Sequence, residues 1–392
     1  MRKILITIPT LNSGGVEVSL VRFINELSRD KNNKITLLML KKEGLYLDSI
    51  PDSVEIIEVS YDDRMYSYNN KFSDIKNIKG ISRKIKFFNY RMKLKNKLAR
   101  NDWEGHYKII LEHVNNISSE YDIAIDWHGY GHFVSALTAS CVNAKKRAMW
   151  IHDEKNEWLS KVDCWLDCYD KIFCVSKSCM NAVIGNFCVL QPKLEVFYNL
   201  IDYQKIRKLS CDGNNYKFDE KKLNLITVGR LEWQKGYDIL IEIAKKLNEK
   251  NINFCWYIIG GGSLYKKISD EIEKFNLSEN VKLLGVQKNP FVYIKKCDLY
   301  LQPSRHEGYG LAIAEAKVLR VVPIATNLNC IREQITDGEN GFLCELSPEV
   351  FADKIIEVSS NKKLMEHVKH NLELENFDYS SEFNKLYNLM EE

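Results

Sequence analysis

Twelve short apolar runs, each closed by a polar or glycine-bearing turn, constrain this 392-residue chain more than any other feature. The first seven are KILITI (3–8), ITLLML (35–40), VEIIEV (54–59), DIAIDW (122–127), RAMWIH (147–152), KIFCVS (171–176) and LEVFYN (194–199). The other five are LNLITVG (223–229), FCWYII (254–259), VKLLG (281–285), DLYLQ (298–302) and VVPIAT (321–326). Segments of helical spacing separate most of them, from Val16 to Leu27 in the first series and at 236–249, 263–275, 308–319 and 348–359 in or after the second. A continuously apolar strand needs cover on both faces, and helical crossovers supply it. The pattern therefore predicts parallel sheets of the α/β class. A polar stretch without apolar periodicity, 209–222, divides the two series. The length exceeds one ordinary core, so two domains are expected, with the cleft between them as the default place for a ligand.

The composition, 45% hydrophobic and 28% charged, is that of a globular protein and excludes a largely disordered chain. No apolar run approaches the ~18 residues of a membrane span. The opening MRKILITIPTLNSGG has an apolar stretch too short for a signal peptide and no small-residue cleavage site, so it reads as a first strand. The eleven cysteines are scattered, and those from Cys164 to Cys179 include no CxxC and no histidine. They read as reduced thiols in a cytoplasmic protein, not as a zinc site.

The net charge of +3 hides an asymmetry. Between Arg64 and Arg100 stand twelve Lys or Arg and one acid, Asp74, giving +11, so the remainder carries 3 − 11 = −8. Tyr66, Tyr68, Phe72, Phe87, Phe88 and Tyr90 are interleaved with these cations, and Ile81, Ile85, Phe88 and Met92 share one helical face. Such a segment suits an anionic membrane surface, at roughly 1 kcal/mol per basic residue near the lipid. The alternative is an apolar face packed on the domain beneath solvated lysines. No nucleic-acid motif supports RNA binding.

Four places could carry chemistry. Gly14 and Gly15 follow the first strand and open a helix, where a phosphate could approach backbone N–H groups, although a full GxGxxG is missing. Gly260–Gly262 form a second strand-to-helix turn. In VGRLEWQKG (228–236), Arg230 and Lys235 follow a strand end, and two cations there can neutralise a diphosphate. In SRHEGYGLAIAEA (304–316), Glu307 and Glu315 stand eight apart across Gly308 and Gly310. Glu315 then lies about two turns below the loop bearing Glu307, among apolar neighbours that leave it in need of a partner.

Together these segments, with Asp337–Gly341 (DGENG), resemble the family-4 retaining glycosyltransferases of the GT-B fold. Tyr198–Asp202 (YNLID) is similar to that family's interdomain segment, with Leu200 where the family has glycine, and His152 in WIHDE matches its N-domain histidine. The resemblance implies two Rossmann-like, doubly wound parallel-sheet domains facing each other across a cleft. An acceptor-binding domain would span 1–202 with the basic insertion 61–110, and a nucleotide-sugar domain 203–376. A C-terminal helix, 377–392, would return towards the N-terminal domain.

The same resemblance implies residue roles. Arg230 and Lys235 would grip the donor diphosphate, Glu315 the ribose and Glu307 the sugar hydroxyls. Backbone amides of Gly310 and Leu311 would meet the distal phosphate, with Gly14 and Gly15 also at the donor. Val286 would meet the base, and His152 would lie over the sugar, Asp153 being a weaker candidate. Arg230, Lys235, Glu307 and His152 form the expected catalytic set. No DxD pair is present, so no metal cofactor is expected and the nucleotide-sugar is a co-substrate. The implied activity is retaining transfer of a hexose or N-acetylhexosamine, from a UDP-sugar by preference, to a lipid-linked or polysaccharide acceptor of bacterial surface glycan such as lipopolysaccharide, O-antigen or capsule. The enzyme would be cytoplasmic and peripheral on the inner face of the plasma membrane, held by 64–100, with no nucleic-acid partner. A sugar-nucleotide 2-epimerase and a GDP-mannose-dependent mannosyltransferase are the rivals within the fold. A non-catalytic adaptor and a dehydrogenase are the rivals outside it.

Overall fold

The structure is a computed structural model and describes every residue except 13, 214–215, 378–380 and 392. It divides into two compact units, Met1–Leu200 with Ser380–Glu392, and Ile201–Tyr379. Two of the residues in the polar stretch 209–222 and four in the C-terminal stretch 377–392 therefore lie outside the description.

Among the described residues of the first unit, seven parallel strands lie in the order β3-β2-β1-β4-β5-β6-β7. They are β1 (Arg2–Ile8), β2 (Asn33–Met39), β3 (Glu55–Glu58), β4 (Ile117–Asp126), β5 (Val142–Ile151), β6 (Lys171–Cys174) and β7 (Leu194–Val196). The second unit holds six parallel strands in the order β10-β9-β8-β11-β12-β13. These are β8 (Leu223–Val228), β9 (Phe254–Ile259), β10 (Val281–Gly285), β11 (Leu299–Gln302), β12 (Val322–Thr326) and β13 (Phe342–Cys344). In both sheets the strand order reverses beside the first strand of the series, the place where doubly wound sheets bind ligands. The central strands β1, β8 and β9 are buried nearly throughout, as their unbroken apolar sequence requires.

Several details differ from the sequence reading. The strand β13 has only three residues, too few to register as a run. Both β4 and β5 begin earlier than their apolar stretches, in polar sequence paired at the sheet's outer end. The stretch 209–222 is not merely polar, because Tyr216 and Phe218 pack edge-on against Tyr257. In the basic insertion, the helix Ile81–Ala99 buries Phe87, Tyr90 and Leu94. Tyr90 and Leu94 join the first unit's core, and the Tyr90 hydroxyl donates to the Tyr66 carbonyl at 2.9 Å. Ile81, Ile85 and Phe88, the face singled out by spacing, stay exposed.

The C-terminal helix Glu382–Glu391 is part of the first unit. Glu382 accepts from the Tyr198 N–H at 2.9 Å, Lys385 donates to the Val196 carbonyl at 2.7 Å, and Phe383 stacks on Phe23.

One backbone position fixes the start of the second unit's first crossover helix, Tyr237–Glu249. Gly236 has φ +69, and a Cβ there would stand 1.9 Å from the Pro303 carbonyl oxygen. Gly338 has a similar φ of +79, but a Cβ there would meet nothing within 4 Å. Gly338→Ala should therefore cost only left-handed strain, about 1 kcal/mol. Gly236→Ala adds a collision with backbone and should cost several times more, read as a lower urea midpoint. Equal midpoints for the two variants would show that the 236–303 contact is not rigid.

Candidate functional site

In the second unit the loops at the carboxyl ends of β8, β9 and β10 are laced together. Gly229 N–H donates to Ile259 (3.0 Å), Leu231 N–H to Gly261 (2.9 Å) and Gly260 N–H to Gly285 (2.9 Å). Arg230 lies exposed in this lacing, next to Glu232. The Glu232 carboxylate accepts the Ser263 hydroxyl at 2.6 Å and N–H at 3.0 Å, which hold it below its ordinary value, with Arg230 adding to the effect.

Five residues on, Lys235 sits on a loop fastened to the segment after β11. Arg305 N–H donates to the Gln234 carbonyl at 2.8 Å. The Arg305 guanidinium grips Asp238 through two bonds of 2.7 and 2.6 Å and lies over the Trp233 ring. The fastening brings Lys235 Nζ to 2.8 and 2.7 Å from the two oxygens of Glu307. The Glu307 side chain is only 5% exposed. Burial alone would raise its carboxyl. Lys235, the Ser304 hydroxyl at 2.7 Å and the Gln302 amide at 2.6 Å outweigh burial and hold it below the ordinary value. The sequence reading gave Lys235 and Glu307 separate partners, and here each holds the other.

The helix Leu311–Val318 begins immediately after Gly310 and carries Glu315, which is buried. Val286 follows β10 and is 58% exposed. Lys317 escaped notice in the sequence, as one more lysine in a helix. It is buried, with its ammonium 2.5 Å from both the Gln334 carbonyl and Glu375.

In the first unit, Gly14 and Gly15 at the end of β1 and His152 after β5 stand at the same carboxyl edge, with β4 between. Gly14 is extended and precedes the helix Gly15–Leu27. The Glu17 carboxylate lies against the place a Gly14 Cβ would take, so an acid of this chain already stands at that helix's positive end. His152 is buried, and its Nε2–H donates to the Trp127 carbonyl at 2.7 Å, which leaves Nδ1 as the acceptor. Burial pushes this imidazole down to about 4. Asp153 accepts the Lys155 N–H at 3.1 Å.

The loop after β4, DWHGYGH (126–132), was missed by the sequence reading. Its signal is two histidines and two glycines within five residues at a strand's end. The buried Asp126 carboxyl, pushed up to about 6, accepts the His128 and Gly129 N–H groups and the Ser135 hydroxyl. The Tyr130 ring centre lies 4.8 Å from that of His128 and 6.3 Å from that of His152. Burial pushes His128 down to about 3 and His132 down as well. The edge thus presents neutral imidazoles, able to exchange hydrogen bonds with hydroxyls but not to attract anions. Among the described residues, no group of three or more His, Cys, Asp or Glu is placed to hold a metal ion.

Comparison with known proteins fits this arrangement. Residues 212–374 match the family described as Glycosyl transferases group 1. An uncharacterised glycosyltransferase of Methanocaldococcus jannaschii is 34% identical over 205 residues, 52% of this chain and 53% of that one. The Campylobacter jejuni N-acetylgalactosamine-N,N'-diacetylbacillosaminyl-diphospho-undecaprenol 4-alpha-N-acetylgalactosaminyltransferase is 29% identical over 181 residues, 46% of this chain and 48% of that one. The chain spans about half the length of these curated relatives. Staphylococcus aureus TarM, solved with fondaparinux, alpha-GlcNAc-glycerol and UDP, superposes over 100% of both chains with a TM-score of 0.71 at 17% identity. That likeness establishes the GT-B fold.

The neutral state of His152 has a measurable consequence. Its folded value, about 4, lies below the ordinary 6.5, so the unfolded chain binds the extra proton between those limits. The stability it contributes is full above pH 6.5 and falls away as the pH drops towards 4, by about 3 kcal/mol. His152→Gln should therefore flatten the loss of melting temperature between pH 7 and 5 relative to the parent. Parallel curves would mean that His152 takes up its proton as readily in the folded as in the unfolded chain.

Proposed function

We propose that this chain, which has the GT-B fold and matches the glycosyl transferases group 1 over residues 212–374, transfers a hexose or N-acetylhexosamine from a UDP-sugar with retention of configuration. The acceptor would be a lipid-linked or polysaccharide glycan of the bacterial surface. The observation that carries this reading is the half-buried Lys235 paired with the buried Glu307, with Arg230 exposed on the same loop, a cation and carboxylate set at a sheet's carboxyl edge. UDP in the TarM structure and the undecaprenol-linked acceptor of the Campylobacter relative support the choice of donor and acceptor class.

In this proposal Arg230 and Lys235 take the diphosphate, Gly310 and Leu311 offer backbone amides to the distal phosphate, and Glu315 takes the ribose. Val286 meets the base through its backbone and Glu307 receives sugar hydroxyls, while Gly14 and Gly15 are kept as the first unit's candidates for a donor contact. The bond from the anomeric carbon to the diphosphate oxygen breaks on the face where the acceptor oxygen attacks. The acceptor's proton passes to the leaving phosphate. Charge growing on that phosphate is met by the two cations without a metal ion. His152, kept neutral by burial, is the first unit's candidate for a contact to the sugar.

A panel of UDP- and GDP-sugars, offered with and without a lipid-linked acceptor, tests the reading. Acceptor-dependent release of UDP is expected, and it should survive EDTA. Arg230→Ala or Lys235→Ala should each add about 3 kcal/mol to the barrier. Glu315→Ala should raise the donor KM, whereas Glu307→Ala should lower kcat more than it changes KM. Loss of activity on chelation, restored by magnesium or manganese, would contradict the metal-free mechanism. Donor breakdown without acceptor would favour an epimerase.

We also propose that the basic insertion docks on anionic lipid. Two features support this: Ile81 is 80% exposed on a helix whose other stripe is buried, and Phe72 packs edge-on to the exposed Phe88. Among the described residues no helix is long and apolar enough to cross a membrane. Binding to phosphatidylglycerol vesicles should fade as salt rises, because the reach of charge shrinks from ~10 Å at 0.1 M to ~3 Å at 1 M. Charge reversal at Lys84, Lys86, Arg91 and Lys93 should release the protein but spare transfer to a short soluble acceptor. Unchanged vesicle binding in that variant would remove the membrane role.

A further inference from the structure

Behind Glu307 runs a line of buried hydrogen-bonding groups in which every proton can be assigned. Tyr300 and Gln302 are alternate residues of β11, so their side chains leave the strand on the same face. Both are buried, Tyr300 completely. Gln302 Nε2 lies 2.6 Å from Glu307 Oε1 and 3.0 Å from Ser304 Oγ. An ionised carboxylate only accepts, so the amide must turn its NH2 group towards Glu307. The reverse orientation would place two acceptors against each other. Gln302 Oε1 then needs a donor, and the Tyr300 hydroxyl is in contact with it. The single Tyr300 proton goes there and not to the Val228 carbonyl, 3.2 Å away. Ser304 accepts from the amide and donates to Glu307 Oε1 at 2.7 Å.

The two oxygens of Glu307 end up unequal. Oε1 accepts from Gln302, Ser304 and Lys235, whereas among the described residues Oε2 accepts from Lys235 alone, at 2.7 Å. Only Oε2 has capacity left for a ligand hydroxyl. We propose that Gln302 is a positioning residue of the transfer site: oriented by Tyr300, it occupies Oε1 and so commits Oε2, as an anion, to the donor sugar. This rests on the reading of Glu307 as the sugar-binding carboxylate. Gln302 touches no substrate and acts through Glu307.

Other groups face Glu307 and Tyr300 from the elements packed against them. From the loop before the helix Tyr237–Glu249 comes Lys235. From that helix comes Tyr237, which senses the Glu307 charge and is pushed far up by burial, as is Tyr300 from β11. Glu315 acts on Tyr300 from the helix Leu311–Val318, and the Cys330 thiol donates to the Glu307 carbonyl at 3.2 Å.

The test uses the full chain with Gln302→Met, which keeps the side chain's length and removes its donors, and with Tyr300→Phe. Turnover is followed as UDP release from UDP-N-acetylglucosamine, UDP-galactose and UDP-glucose across the pH range. With Gln302→Met, kcat should fall tenfold or more while the donor KM stays within about threefold. The acid limb of the profile should move to higher pH, because a donor favouring the anion is gone. Tyr300→Phe should move both in the same direction by less, and add nothing in the Gln302→Met background. A Gln302→Met enzyme with the parent's kcat and acid limb would overturn the proposal. So would additive effects of the two changes.

A second readout needs no donor. The difference in melting temperature between parent and Gln302→Met should be full at pH 7 and narrow as the pH falls through the raised Glu307 value of the variant. In a Glu307→Gln background that difference should not depend on pH. A difference that stays constant with pH while Glu307 is intact would also overturn the proposal. If no donor is turned over by the parent, the reading of the site as a UDP-sugar transferase fails, and the melting data alone judge the relay.

Discussion

A carboxylate with almost no contact with water must stay ionised beside a lysine, and much of the carboxyl edge of the second unit's sheet meets that demand. Isolated in an apolar interior, the Glu307 charge would be prohibitively costly and the group would take up a proton instead. It remains an anion because Lys235, Gln302 and Ser304 converge on it. Convergence needs the Lys235 loop locked to the loop after β11, which is what the Arg305–Asp238 grip, the Arg305–Gln234 backbone bond and the Gly236–Pro303 approach accomplish. The pair is therefore poor evidence of added stability and good evidence of a site kept in readiness.

The fold could be read from the sequence because parallel strands buried on both faces leave an unmistakable trace. Runs such as FCWYII have no polar face at all, and β9 is buried from end to end. What escaped was short or polar. The strand β13 has three residues, and the outer ends of β4 and β5 pair through backbone groups, to which side-chain hydropathy is blind. In the basic helix, spacing found a genuine apolar stripe but not the inward one. The inward stripe is the one whose Tyr90 and Leu94 find partners in the core of the unit, a tertiary fact that spacing does not carry.

The site divides the same way. Arg230, Lys235, Glu307 and Glu315 stood out because charged residues beside glycines at strand ends are conspicuous. Their mutual arrangement was not legible, since the Lys235–Glu307 pair joins residues 72 apart in the chain. Gln302 and Tyr300 read as ordinary strand residues, and Lys317 as a solvated lysine. The histidines of 126–132 carried no motif. Their common character, imidazoles kept neutral by burial around Tyr130, arises from the fold alone.

If Lys235 serves a donor diphosphate, as proposed, it must leave Glu307 to do so, and the two anions then compete for one ammonium. Calorimetric titration with UDP, comparing the parent with Glu307→Gln, tests this directly. Replacing the carboxylate by a neutral amide of the same shape frees Lys235, and UDP should bind more tightly, by about tenfold for each 1.4 kcal/mol of competition removed. Unchanged affinity, or weakening as large as that caused by Lys235→Ala, would contradict the account.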